Sequence, residues 1–163
     1  FETDIYSFPV EFELSTDPFS PIWEGAKTTS LVLRPLSARR DAVEIINVAS
    51  VMGIVGAPYG SIYGASKAAV MSLTRSHALE FGSAIRVNSV VPGGVDTDML
   101  RGLAKKIAKD VESGYEILSK DTAAQHRIAH ASEIAGPVLY LASDLASFVT
   151  GSTHVVDGGE VLD

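Results

Sequence analysis

Two apolar runs rich in β-branched residues, Val43–Val48 and Ile85–Val91, flank a stretch with a helical pattern from Ser61 to about Phe81. This succession constrains the fold more than anything else in the chain. Near-continuous runs of this kind suit strands buried on both faces, the condition of a parallel sheet covered by helices. The punctuation agrees. Gly53, Gly56, Pro58 and Gly60 form a loop after the first strand, and Ser61 is placed to cap the helix that Gly82 ends. The second strand stops at Pro92-Gly93-Gly94. Ala65, Ala68, Ala69 and Ala78 keep parts of the helix slim. The expected fold class is α/β, a parallel sheet with flanking helices.

Within that frame one segment carries chemistry, INVASVMGIVGAPYGSIYGASKAA, residues 46–69. Ser50 falls at the C-terminal end of the first strand, where open α/β sheets place their ligands. Tyr63 lies at the start of the helix and Lys67 follows it at i+4, so the two side chains share a face, roughly 5–6 Å apart between Cβ atoms. At an effective dielectric of about 20, a unit charge ~4 Å from the phenol is worth ~4 kcal/mol. That is roughly 3 pKa units, so the expectation is a phenol lowered towards neutrality. Such a tyrosine gives or takes a proton near pH 7, with the Ser50 hydroxyl holding the reacting oxygen. Tyrosine-x-x-x-lysine alone is a weak signal. With 5 Tyr and six Lys in the chain, one such pair arises by chance in roughly one sequence in six. The bland meaning is a solvated lysine one turn from a half-buried tyrosine. The ordered context of strand, serine, glycine-rich loop, helix and second strand is what gives the pair weight.

Taken together, IINVAS, YGASKAAV, IRVNSVVPGGVDT and the closing FVTGSTHVVDGG resemble the C-terminal half of a classical short-chain dehydrogenase/reductase, over about Val43 to Gly159. The resemblance implies a Rossmann-like fold and an NAD(P)(H)-dependent oxidoreductase that interconverts a secondary alcohol and a ketone by hydride transfer. It implies that Tyr63 is the proton donor or acceptor, that Ser50 stabilises the substrate oxygen, and that Lys67 also reaches the nicotinamide ribose hydroxyls. Tyr63, Lys67, Pro92, Gly93, Val95 and Thr97 are the implied contacts to the cofactor, NAD or NADP. The implied partners are a small-molecule alcohol or ketone and further copies of the chain, as a dimer or tetramer. Asn47 and Asn88 match structural asparagines of the family pattern, and the family's catalytic asparagine from an earlier strand has no counterpart. Residues 98–126 correspond to the family's variable lid over the substrate.

The first 42 residues depart from the pattern. Residues 1–24 hold six acidic side chains (Glu2, Asp4, Glu11, Glu13, Asp17 and Glu24), no lysine or arginine, and half of all the aromatics. Val10–Leu14 alternates with period two, and Pro9, Pro18 and Pro21 break the segment up. An irregular segment or docked arm is expected over 1–42, with Val10–Leu14 the candidate to cover the edge of the sheet and Ser30–Arg40 a candidate short helix. A dinucleotide site needs a glycine-rich turn between its first strand and helix. Gly25 is the one glycine before Gly53. The expectation is therefore a truncated Rossmann-like domain over 43–163, with its N-terminal nucleotide-binding half missing or replaced. The rival expectation is a catalytically inactive remnant that serves only as an oligomerisation or interaction module.

Beyond Pro92, a helix is expected from Asp96 or Thr97 to about Val111, a second short helix within 112–126, a helix over Glu133–Ala142 capped by Ser132, and a last strand at Thr153–Val156. Asp144 and Asp157 are read as structural. A formal net charge of −7 without a basic cluster argues against nucleic acid. Lys105, Lys106 and Lys109 read as a solvated helix face. No cysteine is present, which excludes disulfides and thiolate metal sites. His77, His126, His130 and His154 lack metal-ligand spacing, and no metal is expected. No run approaches the ~20 apolar residues of a membrane span. The default expectation is a cytoplasmic protein with no membrane partner.

Overall fold

The structure is a computed structural model that describes residues 5–10, 28–33, 43–120 and 124–161. Five strands, β1 (Ile5–Val10), β2 (Thr28–Leu33), β3 (Val43–Val48), β4 (Ile85–Pro92) and β5 (Thr153–Val156), form one sheet in sequence order. β3, β4 and β5 are parallel, with Val48 beside Val90 and Val90 beside His154. Helix α1 (Ser61–Phe81) is the crossover from β3 to β4. Helices α2 (Asp98–Ile107), α3 (Val111–Ser119) and α4 (Ala131–Leu141) separate β4 from β5.

The alternation of β3 and β4 decides which helix covers which face. Even-numbered residues Ile46 and Val90 pack with Leu141, Ala142 and Ala146 beneath α4, joined by Ile134 and Val138. Ala49 and Val91 lie on the other face with Val70 and Met71 of α1. Val87, Val90 and Val91 are completely buried, as central strands of a covered parallel sheet must be. Two polar ties hold α1 to β3. Asn47 Nδ2 donates to Thr74 Oγ1 at 2.9 Å, and Lys67 Nζ donates to the Val48 carbonyl at 3.1 Å. Asn88 has an equally structural task, donating to the Val149 carbonyl and accepting from the Ser152 N–H and hydroxyl.

Close backbone approach explains two of the glycines. A Cβ on Gly53 would stand 2.8 Å from the Ala68 nitrogen, and one on Gly64 would stand 2.6 Å from the Met52 carbonyl oxygen. The loop after β3 is thereby pressed onto the first turns of α1. The α1 N-cap is Gly60, without a side-chain bond, and Ser61 is the first helical residue rather than the expected cap. The helix expected to about Val111 ends at Ile107, and the second short helix expected within 112–126 is α3, which starts at Val111. Extended backbone at Ala108 (φ −143, ψ 171) ends α2, and Asp110 caps α3 through Ser113 N–H at 2.8 Å. His130, not Ser132, precedes α4, where Glu133 accepts the His130 N–H. Pro137 sits near the end of that helix's second turn and removes one backbone donor from it.

The sheet is longer than three parallel strands because the N-terminal region adds to it. β2 pairs antiparallel with β3 and β1 antiparallel with β2. Residues 30–33, the first part of the stretch expected as a short helix, belong to strand β2; the rest, residues 34–40, lies outside the described residues. The segment on the β3 edge is β2, not Val10–Leu14, of which Val10 ends β1 and residues 11–14 lie outside the described residues.

At the opposite end of the sheet from Ser50, Glu44 and Arg86 form a buried ion pair at 2.6 Å. Arg86 also donates to the carbonyls of Leu141 at 2.7 Å and Val149 at 3.0 Å, so it ties β3 and β4 to the end of α4. Burial pushes the Glu44 carboxyl above its ordinary range and Arg86 pulls it back. Replacing Arg86 by methionine leaves that carboxylate buried without its cation. Urea unfolding of Arg86→Met is expected to show a loss of about 3–5 kcal/mol, which Glu44→Gln in the same chain partly restores. Gly64→Ala is expected to lose about 1–3 kcal/mol by overpacking. Gly102→Ala, within α2 and with open space at the new methyl, is expected to gain up to about 1 kcal/mol in the same measurement.

Candidate active site

Ser50 follows β3 in extended conformation (φ −165, ψ 153) and caps the short 3-10 turn Val51–Gly53, its Oγ accepting the Met52 N–H at 3.3 Å. Tyr63 lies in the first turn of α1, whose start the Gly53 and Gly64 contacts press against that same turn. The Ser50 hydroxyl and the Tyr63 phenol consequently face one another closely enough for a hydrogen bond to act on the phenol. Lys67, on the next turn, is 5% exposed. Its ammonium is 5.5 Å from the centroid of the Tyr63 ring and donates to the Val48 carbonyl. The three side chains meet at the C-terminal end of β3.

The electrostatics differ from the expectation of a phenol lowered by its lysine. Burial raises the Tyr63 pKa above its ordinary value, and the hydrogen bond to Ser50 pulls it back in part. Lys67 is aimed at the ring and at Val48 rather than at the hydroxyl, and burial lowers its own pKa. Position i+4 guarantees a shared face. It does not direct a flexible ammonium to the phenolic oxygen when a strand-end carbonyl lies nearer.

The second part of the site is the turn after β4. Val95 forms a parallel bridge with Ala129, with Ala129 N–H to Gly94 O and Asp96 N–H to Ala129 O, both at 2.9 Å. This pairing uses the Gly94 carbonyl and Asp96 N–H, so the Val95 N–H and C=O face the other side. The Val95 carbonyl accepts the Thr97 hydroxyl at 3.3 Å, and that hydroxyl caps α2 by accepting the Leu100 N–H. Among the described residues the Val95 N–H has no acceptor. Pro92 and Gly93 end β4 against β5, with Gly93 N–H to Val156 O at 3.2 Å. A Cβ on Gly93 would stand 2.6 Å from Glu160 Oε2 and 2.9 Å from Asp157 Cα. The residues after β5 therefore require that glycine. Asp157 is structural, its carboxylate accepting the N–H groups of Gly159 and Val161 at 2.8 and 2.7 Å.

Two residues that the sequence does not single out, Arg101 and Tyr115, converge on Asp96. Asp96 accepts two bonds from Arg101 of α2, at 2.7 and 2.9 Å, and a third from the Tyr115 hydroxyl of α3 at 2.6 Å. These bonds hold the Asp96 carboxyl down at about 2 and join the turn to both helices beyond it. A capping aspartate before a helix was legible; a link to Tyr115, far along the chain, has no local signal.

The nicotinamide side of a dinucleotide fits this edge of the sheet. The free Val95 N–H suits a carboxamide oxygen, and Lys67 and Tyr63 stand beyond the adjacent strand end. In this sequence no glycine-rich turn of the kind that meets a pyrophosphate precedes Gly53.

Comparison with known proteins places the chain. A family model described as enoyl-(acyl carrier protein) reductase matches residues 25–160. The cis-4-hydroxycyclohexanecarboxylate dehydrogenase of Sinomonas cyclohexanicum is 41% identical over 128 residues, covering 78% of this chain and 48% of that protein. The ligand-free aldohexose dehydrogenase of Thermoplasma acidophilum is similar in structure (TM-score 0.70, 34% identity), with 75% of this chain and 49% of that one covered. The L-sorbose reductase of Gluconobacter frateurii, solved with NADPH and L-sorbose, gives a TM-score of 0.72 at 30% identity over 76% of this chain and 49% of its own. The chain spans about half the length of the relatives it matches. The extent of the match, together with the ordered motifs, shows that this chain belongs to the short-chain dehydrogenase/reductase family.

Proposed function

We propose that the chain is part of an NAD(P)(H)-dependent oxidoreductase that interconverts a secondary alcohol and a ketone. The observation that carries this reading is the meeting of Ser50, Tyr63 and Lys67 at the end of β3, one strand from a turn with an open Val95 N–H. When bound, the nicotinamide would supply or accept the hydride, held by Val95, Thr97, Lys67 and Tyr63 beside Pro92 and Gly93. The Ser50 hydroxyl holds the substrate oxygen and Tyr63 exchanges the proton with it. Because burial raises the phenol, Tyr63 is protonated at neutral pH, the state that donates to a carbonyl. Reduction is therefore expected to be fastest at and below neutrality and to fall as pH rises through the Tyr63 pKa. Oxidation runs the opposite way, since a phenolate must first form. Lys67 contributes by favouring that phenolate with its charge, and by fixing α1 to the end of β3.

Large apolar side chains of α4 and of the segment leading to β5, Leu139, Tyr140, Leu145 and Phe148, are exposed, with Phe148 entirely so. Such exposure supports the further reading that the chain works as a homo-oligomer. Localisation in the cytoplasm is part of the same proposal; among the described residues no helix is long and apolar enough to cross a membrane.

NADH and NADPH fluorescence titration of the purified chain tests the cofactor reading directly. Saturable binding at micromolar concentration is the expected outcome, and a folded chain that binds neither form would sink it in favour of an inactive remnant. Tyr63→Phe is expected to keep that affinity within about twofold while lowering turnover of a ketone at least 100-fold, the range for losing a general acid. Light scattering of Phe148→Glu against the parent chain checks the assembly, with a shift to monomer expected.

A further inference from the structure

Beyond the proton-transferring groups, one carboxylate is built into the turn after β4. Glu160 is half-buried after β5, with Oε2 2.6 Å from where a Cβ on Gly93 would stand. The Gly94 backbone N–H lies close enough to lower the carboxyl's pKa. The next residue is Val95, whose N–H has no acceptor among the described residues. Asp157 is the other carboxylate nearby, and its oxygens are taken by the Gly159 and Val161 N–H groups. Among the described residues no lysine or arginine pairs with Glu160. A negative charge is thus held beside an open backbone donor, with no cation to neutralise it.

We propose that Glu160 is a specificity-determining residue that makes the site favour the oxidised nicotinamide over the reduced one. The proposal rests on the cofactor reading above and goes beyond it by assigning the preference between redox forms to one side chain. The oxidised ring carries a positive charge and the reduced ring does not. A fixed carboxylate one peptide from the donor that suits the ring's carboxamide therefore attracts one form and leaves the other nearly unaffected. Burial and the Asp157 charge raise the Glu160 pKa while Gly94 lowers it, so the preference requires a pH at which the carboxyl is ionised. Gln at this position keeps the volume and an oxygen for the Gly94 N–H and removes only the charge.

The test compares the dissociation constants of NAD+ and NADH, and of NADP+ and NADPH, at pH 8 in the parent chain, Glu160→Gln and Glu160→Asp. Reduced forms are titrated by their fluorescence and oxidised forms by competition. Glu160→Gln is expected to weaken the oxidised form about fivefold and the reduced form less than about twofold, a selective loss of charge attraction. Glu160→Asp, which retains the charge, is expected to stay closer to the parent ratio. An unchanged ratio in Glu160→Gln, whether both forms weaken or neither does, overturns the inference and leaves the cofactor reading standing. Failure of the folded parent chain to bind any of the four overturns both.

Discussion

The attachment of α1 to β3 is the constraint on which the rest depends. Lys67 and Thr74 are two turns apart on one face of α1, and each bonds to a consecutive residue of β3, Val48 and Asn47. Neither bond is strong in net terms, since each replaces bonds to water. Their effect is geometric: they fix the rotation and the axial position of α1 on the strand. Gly53 and Gly64 then bring the loop after Ser50 against the helix at a distance no side chain would permit. Tyr63 has no freedom left to choose its neighbour. A lysine whose charged end satisfies a strand-end carbonyl is at once a structural peg and a nearby charge, and both roles follow from the same buried position.

Legibility from sequence tracked the range of the interactions involved. β3, α1, β4 and β5 were readable because continuous β-branched runs, small helix residues and terminal glycines are local signals. Ser50, Tyr63 and Lys67 were readable because two of them lie on adjacent turns and the third sits at a strand end. The end of α2 at Ile107 was not, because Ala108–Asp110 carries no glycine or proline and the break comes with Asp110 capping α3 through Ser113. The stretch 30–33 was misjudged for a related reason. Its residues are pairing with β3, and pairing partners override the weak local preference of a mixed polar segment. The phenol's response to its surroundings was inferred from spacing alone, which captures the shared face but not the desolvation that dominates it.

The turn after β4 shows how three distant segments can converge on a few backbone groups. The residue pair Gly94 and Asp96 is matched with Ala129 before α4, Gly93 with Val156 of β5, and the Asp96 side chain with Arg101 and Tyr115 of the two helices between. Among the described residues the Val95 N–H is left without an acceptor. Two glycines in this turn serve neighbours that arrive from later in the chain, Ile128 against Gly94 and Glu160 against Gly93. A reading that treats them as flexible hinges would miss that they are filled positions.

The two-sided burial of β4 limits how a chain of this kind can change in length. Val90 belongs to the face beneath α4 and Val91 to the face beneath α1, so inserting a single residue in the strand would exchange the two faces of everything after it. Insertions and deletions are thereby confined to the joints, such as Ala108–Asp110 between α2 and α3, two helices that Gly114 lets pack closely at Ala104. The strand that presents the turn thereby stays fixed in register.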